Sequence, residues 1–325
     1  MPQVGINAAS ITAPFASVAG KKLNFLYKPT LRADISAKAK SHIDGHLKAK
    51  GLTLPPFNPV DWAFTARSPD NKITAICMGY CAWTECQVNT LAVTQAFQPP
   101  KGTGTVILRA VEEFARKNNQ SRLALHTYSW QAKPFYEKLG FRDFGTQTGV
   151  PPGHARHNLE KVFSWEGSAL PPLPSGEAAQ LKLVEEPVEA HPALDQQCQN
   201  WLNDDTQRRN TNKNIPDYVK QLYGLEVVDP QTNKPIGAVV YETLWSEAHV
   251  SYYTVAPEMQ RKGVGSKMLE DFKLIASEKG CGRIALETIS PEKKALFEKF
   301  GFKVFGVQED IPVKGMTRYF MENVF

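Results

Sequence analysis

Apolar positions along the chain follow two spacings, and the order in which the spacings occur is found twice. In the N-terminal part, alternation predicts a strand over Leu23–Arg32 and a hairpin of Trp62–Ala66 with Thr74–Trp83 around the turn Pro69-Asp70-Asn71-Lys72. Ile35, Ile43 and Leu47 share one face of a helix over Ala33–Lys50 that Gly51 stops. A strand Val88–Val93 then leads through a Gly-rich loop, Lys101–Gly104, into a helix Thr105–Lys117 with Ile107, Leu108, Val111 and Phe114 inward. A strand Arg122–His126, a helix Gln131–Lys138 and two further strands close the unit at Phe163. The same order recurs downstream: hairpin Leu225–Val228 and Ile236–Trp245, strand His249–Val255, loop Gln260–Gly265, helix Ser266–Lys279, strand Arg283–Glu287, helix Pro291–Phe300 and closing strands.

The recurrence is one of residues as well as of pattern. Phe135-Tyr136-Glu137-Lys138-Leu139-Gly140-Phe141 answers to Leu296-Phe297-Glu298-Lys299-Phe300-Gly301-Phe302, with Gly140 and Gly301 161 positions apart. Trp83 and Trp245 are 162 apart, as are the closing segments 159–163 and 321–325. A period this long describes two whole domains and not a solenoid unit. The expected organisation is a loose extension over 1–21, a first domain over 22–163, a linker over 164–180 rich in Pro, and a second domain over 181–325. Each domain is expected to be α+β, a mixed central sheet with helices on both faces.

Composition narrows the class. With 325 residues, 42% hydrophobic and 22% charged, the chain has room for two cores of ordinary size. No apolar run is long enough to span a bilayer, and residues 1–33 have neither the basic start nor the apolar block of a secretory signal. The expectation is a cytoplasmic protein with no membrane partner. The five cysteines, Cys77, Cys81, Cys86, Cys198 and Cys281, are odd in number and lack metal-ligand spacing, so they read as reduced core residues. Residues 1–163 carry 20 Lys+Arg against 10 Asp+Glu, and the remainder 18 against 23. Two readings fit: a basic half for phosphate-bearing ligands and an acidic half for amines, or two halves that attract each other. No long basic run interleaved with aromatics is present, so nucleic acid is not an expected partner.

The segment with most chemistry in it is Val255-Ala256-Pro257-Glu258-Met259-Gln260-Arg261-Lys262-Gly263-Val264-Gly265-Ser266. A strand ends, a short loop of glycine and basic residues follows, and a long helix begins. Free N–H groups at a helix start form an anion site, and glycine lets a phosphate approach the backbone. An ordinary strand-to-helix turn reads the same way, and the loop matches neither a Walker loop nor a dinucleotide fingerprint.

The Gln-x-x-Gly-x-Gly loop together with the Phe-Glu-Lys-Phe-Gly-Phe segment resembles the GNAT superfamily of acyl-CoA N-acyltransferases. The first copy resembles it further in Thr127–Ala132, Phe135–Phe141 and Pro151-Pro152-Gly153-His154. The resemblance spans 30–163 and 182–325. It implies acetyl-CoA as co-substrate, its pyrophosphate held by the amides of Gln260, Arg261, Lys262, Gly263, Val264, Gly265 and Ser266. It also implies a splayed strand end at Tyr253-Thr254-Val255, with the Val255 N–H aimed at the thioester oxygen. In the family a tyrosine protonates the leaving thiolate. The first copy has Tyr136 there and the second Phe297, whereas the first copy's loop has Pro99 and Pro100 where the second has amides. The second copy is therefore expected to work, the first to buttress it or to hold a second CoA.

For a base, Glu287 ends the strand that faces the splay, with Glu242, Glu247 and His249 on the neighbouring strands and His126 at the corresponding place in the first copy. Trp83 and Trp245 read either as pocket walls or as core, and Asp195–Gln221 as the segment that shapes the acceptor pocket. The resulting expectation is N-acetyl transfer to a primary amine of a small molecule by direct attack in a ternary complex, without a metal. The alternatives are a protein acceptor (lysine or N-terminus) and a CoA-binding scaffold without activity. The two copies are expected as a monomeric pseudo-dimer or within a homodimer.

Overall fold

A computed structural model describes residues 17–18, 21–22, 25–29, 55, 57–94, 100–165, 169–170, 172, 174–209, 215–216 and 218–325. The helix expected over 33–50, most of the 1–21 extension and the start of the first loop (Gln98-Pro99) lie outside them. The strands of the main sheet are β1 (Leu26–Pro29), β2 (Val60–Arg67), β3 (Ile73–Ala82), β4 (Glu85–Val93), β5 (Arg122–Tyr128), β6 (Arg142–Thr148) and β7 (Ala155–Val162) from the first repeat. The second supplies β8 (Lys182–Glu185), β9 (Lys220–Val228), β10 (Pro235–Leu244), β11 (Glu247–Val255), β12 (Arg283–Thr288), β13 (Lys303–Glu309) and β14 (Thr317–Val324). The helices are α1 (Thr103–Lys117), α2 (Lys133–Lys138), α3 (His191–Arg209), α4 (Val264–Glu278) and α5 (Pro291–Lys299).

α1 and α4 start earlier than their apolar spacing suggests, because Gly102 and Gly263 take the cap position in the left-handed region at φ 101° and 80°. The linker, expected to hold no helix, forms a short 3-10 turn at Gly176–Gln180. No helix among the described residues is long and apolar enough to cross a membrane.

Instead of one sheet per copy, the two mixed sheets join into one of fourteen strands, in the order β8-β2-β3-β4-β5-β7-β6-β13-β14-β12-β11-β10-β9-β1. The junction is narrow: β6 and β13 pair at Gly145↔Gly306. The two outer edges are exchanged. β1, from the start of the chain, pairs antiparallel with β9 (Tyr27↔Val227), and β8, from beyond the linker, pairs with β2 (Val184↔Thr65). Tyr27 is wholly buried in the C-terminal core and its hydroxyl donates to Asp271 Oδ2 at 3.2 Å. Glu186, just past β8, forms an ion pair with Arg67 at 2.7 Å.

α1 buries Ile107, Leu108 and Val111 against Phe64, Cys77 and Leu123 on one face of the N-terminal half. The other face, at Ala63, Ile76 and Ala92, is covered by Leu194 and Cys198 of α3. All five cysteines are free and buried. α4 packs the matching face of the C-terminal half through Met268, Leu269, Phe272 and Ile275.

Two reciprocal polar clusters flank the junction. Gln308 Nε2 donates to Glu85 (3.1 Å) and Glu160 (3.0 Å), and Arg318 pairs with Glu85 at 2.7 Å. On the other side, Gln147 Nε2 donates to Glu247 and Glu322, both at 3.0 Å, and Arg156 pairs with Glu247 at 2.8 Å. Arg122 bonds Glu160 at 2.6 Å and reaches the Glu309 carbonyl, while Arg283 donates to the Thr148 carbonyl at 2.5 Å. Each carboxylate of these two clusters thus meets an arginine from the other half or its own, which buried charge requires.

Candidate functional site

β11 and β12 run parallel and pair from Glu247↔Arg283 to Val250↔Leu286, and there pairing stops, although β11 continues to Val255. A bulge separates them. Val240 pairs with Tyr252 but Tyr241 with Val250, so Ser251 is the extra residue on β11. Past the bulge, the Ala256 N–H donates to the Ile236 carbonyl at 2.9 Å. Antiparallel alternation then turns the N–H groups of Thr254 and Tyr252 toward β10, and those of Val255 and Tyr253 toward the open notch.

The loop after β11 leads into α4. Arg261 (φ 60°) and Gly263 (φ 80°) both sit in the left-handed region. No side chain caps α4 and no acid stands in its first turn. The helix ladder opens with Lys267 N–H to the Gly263 carbonyl at 3.1 Å, so Val264, Gly265 and Ser266 present N–H groups without intrahelical partners. A Cβ built on Gly263 would meet no described atom within 4 Å. Loop and strand are tied: Gln260 Nε2 donates to the Val255 carbonyl at 3.1 Å, and the Tyr253 hydroxyl to the Gly265 carbonyl at 2.5 Å. Thr254, Val255 and residues 260–266 thus come together at one end of the notch, with Arg261 and Lys262 exposed.

The corresponding place in the N-terminal half is closed by its own chain. A Cβ on Gly102 would stand 2.8 Å from Pro174 Cβ, and one on Gly104 3.2 Å from Phe135. Thr103 Oγ1 donates to the Pro100 carbonyl at 2.7 Å. The linker therefore covers the helix start that would have to receive a phosphate.

The acid–base candidates fall apart spatially. Tyr136 is buried in the N-terminal core between Phe135 and Phe141, and burial raises its pKa. Phe297 is buried in the C-terminal core, its ring 6.3 Å from that of Tyr253. Tyr253 takes the position of Leu91 in the other repeat, so across these two pairs of positions the phenol is on the helix in one half and on the strand in the other. Glu287 is the next-to-last residue of β12, on the second arm of the notch, 38% exposed, with Arg318 Nη1 3.6 Å away. Glu247 is buried; burial alone would raise its pKa, but Arg156 and neighbouring positive charge hold it below the usual carboxylate range. It is thereby a structural anion. Glu242 pairs with Lys220 at 2.8 Å. His126 has solvent-exposed surface among closely packed neighbours; desolvation, then Arg156 and Lys220, lower its pKa to about 4. Trp83 and Trp245 sit half-buried at hairpin tips with φ 54°, each indole N–H donating to a proline carbonyl, Pro55 and Pro216.

Two family models match the chain: the acetyltransferase (GNAT) family over residues 184–302 and an acetyltransferase (GNAT) domain over 72–154, together more than half of it. The chain belongs to the GNAT acetyltransferase family. By family it is an acyl-CoA N-acyltransferase, with two GNAT units in tandem. No curated protein matches it. It is similar to an acetyltransferase from Bacillus cereus ATCC 14579, at 26% identity over 39% of this chain and 90% of that one, with a TM-score of 0.32. A putative acetyltransferase from Agrobacterium tumefaciens is similar at 20% identity over 43% and 94%, with a TM-score of 0.34. The ribosomal-protein-S18-alanine N-acetyltransferase from Escherichia coli is similar at 19% identity over 32% and 68%, with a TM-score of 0.29.

In this GNAT pair the polar clusters of the junction were legible but unread. Glu85 and Glu247, Arg156 and Arg318, and Glu160 and Glu322 are identical pairs 162 apart, and Gln147 and Gln308 are 161 apart. Polar residues kept in register within strands that otherwise differ were the available signal. Helix α3 is placed differently from expectation: the part of Asp195–Gln221 that it contains packs on the N-terminal half and does not shape the C-terminal notch.

Proposed function

We propose that the C-terminal half binds acetyl-CoA and passes its acetyl group to a primary amine of a small molecule. The observation that carries this reading is the row of uncapped N–H groups at the start of α4 beside the open edge of β11. The amides of residues 260–266 would take the pyrophosphate, with Arg261 and Lys262 adding charge from the rim. Val255 and Tyr253 N–H groups would bond the pantetheine arm and the thioester carbonyl. Their roles divide by distance. Ser251 stands where Glu287 would be its partner, and Val255 lies four residues on, roughly 13 Å at the usual strand rise. Tyr253, two residues on, is the donor nearer Glu287 and so the better candidate for the developing oxyanion. Glu287 would accept the ammonium proton before the amine nitrogen attacks the carbonyl carbon. The C–S bond then breaks, and the thiolate takes its proton from water, since Phe297 has none to give.

Calorimetry of acetyl-CoA with the whole chain tests the reading. One site is expected, lost both in Gly263→Pro and in Ser266→Asp. The second variant puts a carboxylate in the first turn of α4, where the helix dipole favours it, so it keeps the helix while repelling phosphate. Binding that survives Ser266→Asp overturns the assignment. Phe297 in place of the family tyrosine favours a second reading, a CoA-binding protein without turnover. Release of free thiol from acetyl-CoA in the presence of an amine panel decides between them.

A further inference from the structure

Resting on the acyl-transfer reading of the C-terminal notch, we propose that its acceptor pocket is shared between the two halves. The N-terminal hairpin supplies Tyr80 and Trp83, which with Phe57 packed on them form an aromatic wall, and the pocket takes a single ammonium carried on an aromatic or apolar body.

The geometry starts from Glu287. Ile284 and Leu286 point into the core under α4, so strand alternation turns Glu287 to the opposite face, away from the CoA loop. From there Arg318 bridges the junction, 3.6 Å from Glu287 and 2.7 Å from Glu85 at the start of β4. The β3–β4 hairpin lies against the C-terminal half at its tip, where Thr84 Oγ1 donates to the Asp310 carbonyl at 3.4 Å. Tyr80 is the partner of Gln87 and Ala82 that of Glu85, so Tyr80 and Glu85 share a face. Phe57 packs edge-on against Trp83 at 5.0 Å and Tyr80 at 6.2 Å, and is 36% exposed. Burial raises the Tyr80 pKa, and the charges of Glu85 and Glu287 raise it further, as adjacency to both carboxylates requires.

The corresponding place in the other repeat lacks these features. There the position of Glu287 is held by His126, neutral above about pH 4, and the position of Tyr80 by Glu242, already paired with Lys220. Glu247 is matched by Arg156, so no carboxylate is in excess. Tyr128 and Trp130 stack at 4.7 Å beside Trp245, are only 5% and 6% exposed, and fill the space. Their counterparts 161 positions on are Ile289 and Pro291, which are smaller. Among the described residues the Glu287 side therefore lacks the two stacked rings that fill the other side, and it has aromatic faces and two carboxylates, Glu85 and Glu287, against one guanidinium. A monocation beside an aromatic surface is what such a site attracts.

The test uses the whole chain and follows the indole N–H resonances of Trp83 and Trp245 by NMR, assigned through Trp83→Phe. 2-Phenylethylamine is titrated, with 3-phenylpropionate as the charge-reversed control and ethylamine as the control without the ring. The amine is expected to move Trp83 and leave Trp245 unmoved, to bind about tenfold more tightly than ethylamine, and to weaken about tenfold in Glu287→Gln, whose side chain is exposed enough to spare the fold. A silent Trp83, an equal response to the carboxylate, or an equal response at Trp245 overturns the proposal. Acetyl-CoA binding, read separately, keeps the two readings apart. A responsive Trp83 without CoA binding sinks the acyl-transfer reading alone, and CoA binding with a silent Trp83 sinks the shared pocket alone.

Discussion

Gly145 and Gly306 are direct partners across the junction of the two halves; Gly145 leaves no room for a side chain, and Gly306 is tight, with the Phe144 carbonyl oxygen 3.1 Å from an added Cβ. A Cβ on Gly145 would stand 2.7 Å from the Gly306 Cα and 2.7 Å from the Phe305 carbonyl oxygen. Both obstacles are backbone, which cannot step aside as a flexible side chain can. Gly145→Val should therefore cost about 1–3 kcal/mol from forced separation of β6 and β13. Urea unfolding at neutral pH measures it. Gly153→Ala, where a Cβ meets no described atom within 4 Å but φ is 83°, is the control for backbone strain alone.

Exchange of β1 and β8 makes the halves depend on each other. Tyr27 fills the C-terminal core, and Leu194 and Cys198 cover a face of the N-terminal half. Cutting the chain near Pro172 should leave both fragments in one particle on gel filtration, because each carries a strand of the other. Residues 1–170 and 171–325 expressed separately should aggregate, and co-expression should restore the particle. Two soluble, cooperatively melting fragments would contradict the exchange.

Glu247 is buried against Arg156. Arg156→Leu leaves that carboxylate without its main counter-charge and should cost about 3–5 kcal/mol at pH 7. In the native chain the depressed Glu247 pKa contributes stability that is present above the unfolded carboxylate value and fades as pH falls through the folded one. In the variant the order is reversed, since the unpaired group prefers its proton. The gap between variant and native chain should thus narrow from pH 7 to pH 5 in urea melts, and a constant gap would contradict the pairing.

His126 is expected to stay neutral well below the ordinary histidine range. With a folded pKa of about 4, the unfolded chain binds a proton first as pH drops below about 6.5, so stability falls between those two values. The measurement is the ring Cε1–H shift against pH, with His126→Gln flattening the stability profile in that window. A midpoint near 6.5 would show that neither desolvation nor the charges of Arg156 and Lys220 govern the ring.

By itself the sequence determined whatever depends on neighbours in the chain. The two spacings of apolar residues placed most of the sheet strands, and the glycines at 102, 104, 263 and 265 marked both helix starts. The loss of a phenol at Phe297 was likewise plain from aligning one repeat with the other. Tertiary structure alone decided which edges meet. β1 and β8 look the same in sequence whether they pair at home or across the molecule, because backbone hydrogen bonds carry no record of the partner. The same holds for the site: Glu287 could be named from its place near a strand end and Arg318 is its neighbour on the paired strand β14, but Glu85 and Tyr80 come near them only because β6 and β13 join two twisted sheets into one. Local patterns fix periodicity and faces, whereas contacts between residues 200 positions apart follow from how those faces and edges close on one another.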